Sequence, residues 1–231
     1  MAKLIVIEGC DCSGKETQSK MLADRLNKEG KKCQILSFPM YDSPTGKIIG
    51  ACYLGKEKMC KDLLNSKNGF FEEGASNVDP ICSSLFYAAD RRYNLPVIEK
   101  AISENDVVIL NRYTYSNMAH QAGKIKNKSE RTFMFQILEH LEFNVCKLPR
   151  ADKVIFLHVP YANTLDLRNC RDENSLQLEK EIEHLKNAEE TYLLLADYYE
   201  FDTIEGVVDG KLKSISDIHN EIYKIVSDFV E

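Results

Sequence analysis

Gly9-Cys10-Asp11-Cys12-Ser13-Gly14-Lys15-Glu16-Thr17 is the stretch that decides the reading of this 231-residue chain. An apolar run, Leu4-Ile5-Val6-Ile7, precedes it, and a helical pattern from Gln18 to Asn27 follows. Strand, glycine-bounded loop and helix, in that order, form the setting of a phosphate-binding P-loop. Gly9 and Gly14 permit backbone geometries that a side chain would forbid, so consecutive N–H groups can turn toward one anion. The start of the helix adds unsatisfied N–H groups and a partial positive charge. Lys15 adds a full charge able to reach the outer phosphates of a nucleotide. One position departs from the pattern. Glu16 stands where a Ser or Thr hydroxyl ordinarily meets Mg²⁺, and Thr17 comes one residue later.

Working outward, Met21, Leu22 and Leu26 recur at helical spacing up to Gly30, and Gln34 to Phe38 reads as a second strand ended by Pro39. This βαβ unit implies a parallel sheet whose ligands sit beyond the carboxyl ends of the strands. Thr45–Leu54 reads as a short helix, and Lys56–Val78, rich in Lys, Asn, Gly and Glu, as a surface excursion. Asp79 and Pro80 open a long helix that Pro96 must interrupt. Val107–Leu110 reads as a central strand delivering Asn111-Arg112-Tyr113 to the rim. A short helix from Tyr115 to Gln121 and another from Ser129 to Phe143 follow. Val154–Val159 reads as the fourth strand. A helix from about Leu176 to Tyr199, a strand within Asp202–Val208, a turn at Asp209-Gly210 and a last helix near Ser214–Phe229 complete the chain. The expected architecture is a three-layer α/β P-loop fold: a central parallel sheet of about five strands flanked by helices, spanning residues 1–231 as one domain.

The net charge is −6 and no dense basic run occurs. A nucleic-acid partner is therefore disfavoured, since backbone binding relies on Lys and Arg displacing counterions. A small, multiply charged substrate in a local positive pocket is compatible with this balance. The eight cysteines form no CxxC pair, which argues against zinc and for reduced thiols in the cytoplasm. No apolar stretch is long enough to span a bilayer, so no membrane association is expected.

Four blocks in order, Gly9–Gln18, Phe38-Pro39-Met40-Tyr41, Leu85–Arg91 and Asn111–Asn117, resemble the thymidylate kinases among the P-loop nucleoside-monophosphate kinases. That resemblance implies transfer of the ATP γ-phosphoryl group to dTMP with Mg²⁺. The P-loop residues Gly9, Cys10, Asp11, Cys12, Ser13, Gly14, Lys15, Glu16 and Thr17 would bind ATP. Asp11 would engage Mg²⁺ or order the acceptor phosphate, with Glu16 supporting the metal. Arg112 would clamp the acceptor phosphate, a task suited to a planar fork of donors. Tyr87 would stack on the base, Arg91 and Asn117 would read the thymine edge, and Phe38, Pro39 and Tyr41 would wall the pocket. Ser116, His120 and Gln121 would line it near the sugar. A lid at about 166–177 would bring Arg168 or Arg171 over the transferring phosphate, with adenine between the lid and Asp209–Lys213. The family also implies a homodimer, with Pro80–Ala101 and Ser129–Phe143 as candidate interface helices.

Two further positions depart from the family pattern: Asn111 precedes Arg112 where an aspartate is usual, and Met40 replaces an arginine. The alternatives are a deoxynucleoside or other nucleoside-monophosphate kinase of the same fold, and a non-catalytic nucleotide-binding regulator that has lost its metal chemistry.

Overall fold

A computed structural model describes residues 2–168 and 175–230, with side chains described up to 164 and from 182 onward. The chain begins with β1 (Lys3–Glu8), the P-loop, α1 (Lys15–Lys28) and β2 (Cys33–Ser37). Next come α2 (Pro44–Lys47), which runs into a wider π-helical stretch at Ile48–Tyr53, and α3 (Glu57–Leu64). Then follow α4 (Pro80–Tyr93), α5 (Leu95–Glu104), β3 (Val107–Asn111), α6 (Thr114–Ala122) and α7 (Lys128–Glu139), which passes into a second π-helical stretch, His140–Val145. The last elements are β4 (Lys153–His158), α8 (Tyr161–Arg168), α9 (Ser175–Tyr198), β5 (Asp202–Glu205), the hairpin of β6 (Val207–Val208) and β7 (Lys211–Leu212), and α10 (Ile215–Val230).

Five strands form one parallel sheet in the order β2-β3-β1-β4-β5. Its three central strands are apolar on both faces, as a sheet covered on both sides requires. Alternation along β1 sorts the core into two layers. Leu4 and Val6 join Val108, Leu110 and Phe156 under α6, α7 and α9, where Met118, Phe135 and Tyr192 pack. Ile5 and Ile7 join Ile109, Ile155 and Leu157 under α1 and α10, where Leu22, Leu26, Ile222 and Val226 pack. Each such side chain contributes roughly 1.5–3 kcal/mol by leaving water, which anchors β1 and hence the loop that follows it.

The helix expected from Pro80 through Ala101 is two helices. Asn94 separates them, and Pro96 falls in the first turn of α5, where its missing N–H costs no helical bond. The Lys56–Val78 stretch is not a detached surface excursion. Phe71 and Val78 pack with Tyr53, Phe86 and Tyr87 in a separate aromatic cluster, because two large apolar groups in an otherwise polar segment bury best there. Asp209 and Gly210 both take positive φ, 50° and 74°, as a two-residue hairpin turn demands. Of the lid expected at about 166–177, residues 166–168 end α8 and 175–177 begin α9, while Arg171 and the side chain of Arg168 lie outside the described residues.

Candidate active site

The carboxyl ends of β1 and β3 set the site. Gly9 leaves β1 with φ 151° and passes so close to β4 that a Cβ would stand 2.6 Å from the Leu157 carbonyl oxygen. Gly14, with φ 89°, caps α1 without a side-chain hydrogen bond, so the first N–H groups of the helix have no cap to satisfy them. Between the two glycines the loop folds around the Lys15 ammonium, which is 6% exposed and donates to the Cys10 carbonyl and, at 3.3 Å, to Ser13 Oγ. Burial, and then the nearby Arg112 guanidinium, pull Lys15 down to about 7. The ligand-free loop is thus short of negative charge, and phosphate oxygens would supply it.

Arg112 stands directly after β3 with φ 66°, a left-handed conformation uncommon for a residue other than glycine and also taken by Cys12 at φ 62°. Its guanidinium forms an ion pair with Asp11 across the mouth of the P-loop. It also donates to Ser116 Oγ at 3.1 Å and to Tyr192 OH at 3.4 Å. Beneath it lies Glu8, fully buried, accepting from Tyr113 N at 2.8 Å, Ser116 N at 3.1 Å, Ser116 Oγ at 2.6 Å and Tyr192 OH at 2.9 Å. Tyr192, Asp11 and Glu8 together keep Arg112 charged despite its burial.

A cavity of about 400 Å³ opens beside this pair, within the size range of small-molecule sites. Asp11, Phe38, Pro39, Tyr41, Tyr87, Arg91, Arg112, Ser116, Asn117, His120 and Gln121, the acceptor-site residues expected from sequence, all line it. The Phe38–Tyr41 wall is fixed from behind by Asp90, which is buried and accepts from Met40 N at 2.9 Å and Thr45 Oγ1 at 2.7 Å. Arg91 is 3% exposed; its guanidinium forms an ion pair with the fully buried Glu142, and Asn117 Nδ2 donates to the same carboxylate at 3.0 Å. His120 stacks on His184, with Nδ1 and Nε2 3.3 Å apart. Burial, then His184 and Arg112, hold His120 far below the ordinary histidine value, hence neutral at pH 7.

The metal expectation for Glu16 has no support in the geometry. Its carboxylate is 73% exposed and accepts from Lys20 Nζ at 2.6 Å, on the solvent face of α1. An i,i+4 partner on the helix surface is simply nearer than the loop. Sequence reasoning also missed Glu8, Glu142, Tyr192, His184, Tyr53, Lys56 and Lys124. Lys124 is the most informative of these. Its ammonium donates to the carbonyls of Ala75 and Val78, both at 2.9 Å, and to Ser83 Oγ at 3.0 Å, so it straps the 75–78 backbone over the cavity. Signals existed for two of them: Glu8 is a charge closing an apolar strand, and Glu142 falls at the spacing of the buried face that carries Phe135 and Leu138.

The chain is similar to proteins of known kind. The family model for thymidylate kinase matches residues 7–222. The thymidylate kinase of Schizosaccharomyces pombe is 27% identical over 98% of this chain and 92% of its own length. That of Homo sapiens is 27% identical over 69% of this chain and 62% of its own. A solved structure of thymidylate kinase from Candida albicans superposes with a TM-score of 0.69 at 20% identity, over 99% of this chain and 92% of that one. With the fold, the P-loop and a matched span from β1 into α10, the chain belongs to the thymidylate kinase family.

Proposed function

We propose that the protein transfers the γ-phosphoryl group of ATP to dTMP, giving dTDP and ADP, within a single kinase domain. The observation that carries this reading is the Asp11–Arg112 pair, which stands where the P-loop meets the cavity and so between a donor site and an acceptor site. An acceptor phosphate oxygen attacks the γ-phosphorus as the bond to the bridging oxygen of ADP breaks. Such transfers require positioning and charge stabilisation rather than covalent work by the protein. Lys15 and the loop N–H groups hold the donor phosphates. Arg112 holds the acceptor phosphate, and Asp11 orients the fork of Arg112 until phosphate takes it over. Tyr87 and the Phe38–Tyr41 wall enclose the base. Arg168 or Arg171 serves from the lid.

The donor set suits Mg²⁺ brought in with the nucleotide. Mg²⁺ keeps most of its waters and needs one or two carboxylates beside the phosphates. Asp11 is the carboxylate that lines the cavity mouth, and no group of three or more His, Cys, Asp or Glu forms a cage among the described residues. Asp11 would hold the ion, which when bound neutralises charge on the β- and γ-phosphates.

A homodimer is part of the same proposal. Ile81 and Leu85 on α4, and Phe133 and Ile137 on α7, expose apolar side chains on two helices that both pack on α6. A cytoplasmic setting agrees with the seven free thiols among the described residues, and no described helix is long and apolar enough to cross a membrane. One coupled assay tests the core of the proposal: ATP and Mg²⁺ with dTMP, dUMP, dCMP, dGMP and thymidine in turn. Turnover is expected with dTMP above the others. Activity on none would leave a nucleotide-binding regulator.

A further inference from the structure

We propose that Glu142 is a positioning residue that decides which pyrimidine the acceptor site accepts, by fixing Arg91 as a donor and Asn117 as an acceptor. This rests on the dTMP reading and deepens it.

Glu142 lies in the π-helical stretch His140–Val145, behind the cavity, with no exposed surface. Its carboxylate accepts from Arg91 Nε at 2.9 Å and from Nη2, and Oε1 accepts again from Asn117 Nδ2 at 3.0 Å. The other proton of the Asn117 amide goes to the Ser84 carbonyl at 3.2 Å. Both partners of Nδ2 are acceptors: the Ser84 carbonyl, and the carboxylate that also accepts from the Arg91 guanidinium. The amide therefore has only one orientation, with Nδ2 turned to the protein and Oδ1 left over.

Oδ1 is buried without a hydrogen-bond partner among the described residues, and so is Oε1 of Gln121, one turn further along α6. Both side chains line the cavity. A buried acceptor left unmatched costs about 1–3 kcal/mol, a cost that a ligand N–H would relieve. Beside them Arg91 Nη1 is held, among the described residues, only by a long contact, 3.4 Å, to the Tyr113 carbonyl. The site thus offers acceptors next to a donor. A base with a ring N–H beside a carbonyl oxygen, as in thymine or uracil, matches both. Cytosine sets a ring acceptor against Asn117 and an amino donor against Arg91, and fails twice.

Glu142→Gln tests the assignment. An amide accepts at one end and donates at the other, so its NH₂ must face either Arg91 Nε or the pair Nη2 and Asn117 Nδ2, and one reader is displaced. The ratio of kcat/KM for dTMP over dCMP is expected to fall at least ~10-fold, through a raised KM for dTMP, with kcat for dTMP within about threefold of wild type because Lys15 and Arg112 are untouched. Glu142→Asp keeps the counter-ion of Arg91 but is too short to serve Asn117 as well. It gives the same readout should the glutamine variant not fold. A wild-type ratio in a folded variant overturns the proposal whatever happens to Tm, since a purely structural ion pair would alter stability and leave base choice alone. Wild-type protein inert toward dTMP would instead sink the acceptor reading, so the two failures are distinguishable.

Discussion

Replacing Lys15 by methionine should stabilise the nucleotide-free protein while abolishing turnover. Lys15 is held near 7 where its ordinary value is 10.5, chiefly by burial. At about 1.4 kcal/mol per pH unit, that gap corresponds to on the order of 5 kcal/mol by which the buried ammonium opposes folding. The sign follows from linkage. Between pH 7 and 10.5 the unfolded chain binds the proton that the folded chain has released, so wild-type stability rises with pH through this window. Below pH 7 both states are protonated and the opposition is complete. Methionine removes it at the loss of hydrogen bonds to Cys10 O and Ser13 Oγ, worth about 1 kcal/mol each. Cys10 O keeps a second donor, Ser13 N at 3.3 Å. The expected net gain is about 3 kcal/mol at pH 6, shrinking toward zero and then reversing as pH approaches 10. Urea unfolding of both proteins across pH 6–9.5 measures it, since all other titrating groups cancel in the difference. A gap that does not change with pH, or a variant less stable at pH 6, would refute the reasoning. The same logic requires wild-type protein to take up protons when ATP binds at pH 8, readable by calorimetry in two buffers of different ionisation enthalpy.

Arg112→Ala should lower kcat/KM for dTMP at least ~10-fold, about 1.4 kcal/mol, with a small change in Tm because the four hydrogen bonds to Glu8 beneath it do not involve Arg112; near-wild-type kinetics would remove Arg112 from the acceptor site. Asp11→Ala should weaken apparent Mg²⁺ affinity, whereas Glu16→Ala should leave turnover within about twofold, its surface ion pair being worth little; a Mg²⁺ titration that reversed the two would restore Glu16 to the metal. Lys124 holds its strap as an ammonium and is pulled down to about 8, mainly by burial. KM for dTMP should therefore rise as pH passes above 8 in wild type, and Lys124→Met should show a raised KM at pH 7 with that rise absent.

The fold was legible wherever one element carried its own pattern. Val107–Leu110 and Val154–Leu157 are uninterrupted apolar runs, and runs of that kind have few places to go except the middle of a covered parallel sheet. The cavity wall was legible for a related reason: residues that leave strands at their carboxyl ends, such as Phe38 and Arg112, must arrive on one rim. What could not be read was pairing across distance. Glu8 meets Tyr192 184 positions away and Lys124 meets Ala75 49 away, and nothing in either neighbourhood encodes the partner. Glu16 is the opposite case. Its place in the motif suggested the loop, but the nearest cation was Lys20, one helical turn on.

The strap over the cavity has a consequence for how this site can change. Lys124 and Tyr53 OH grip the 75–78 segment by main-chain carbonyls, which every residue supplies in the same form. The fastening is therefore indifferent to the side chains it fastens. Sequence drift along this wall, or its exchange for a segment of equal length that keeps the buried Val78 contact, would reshape the mouth of the cavity while the latch stayed intact. Acceptor range and catalytic machinery are in this sense separately inheritable, the first written on a replaceable panel and the second on the strands beneath it.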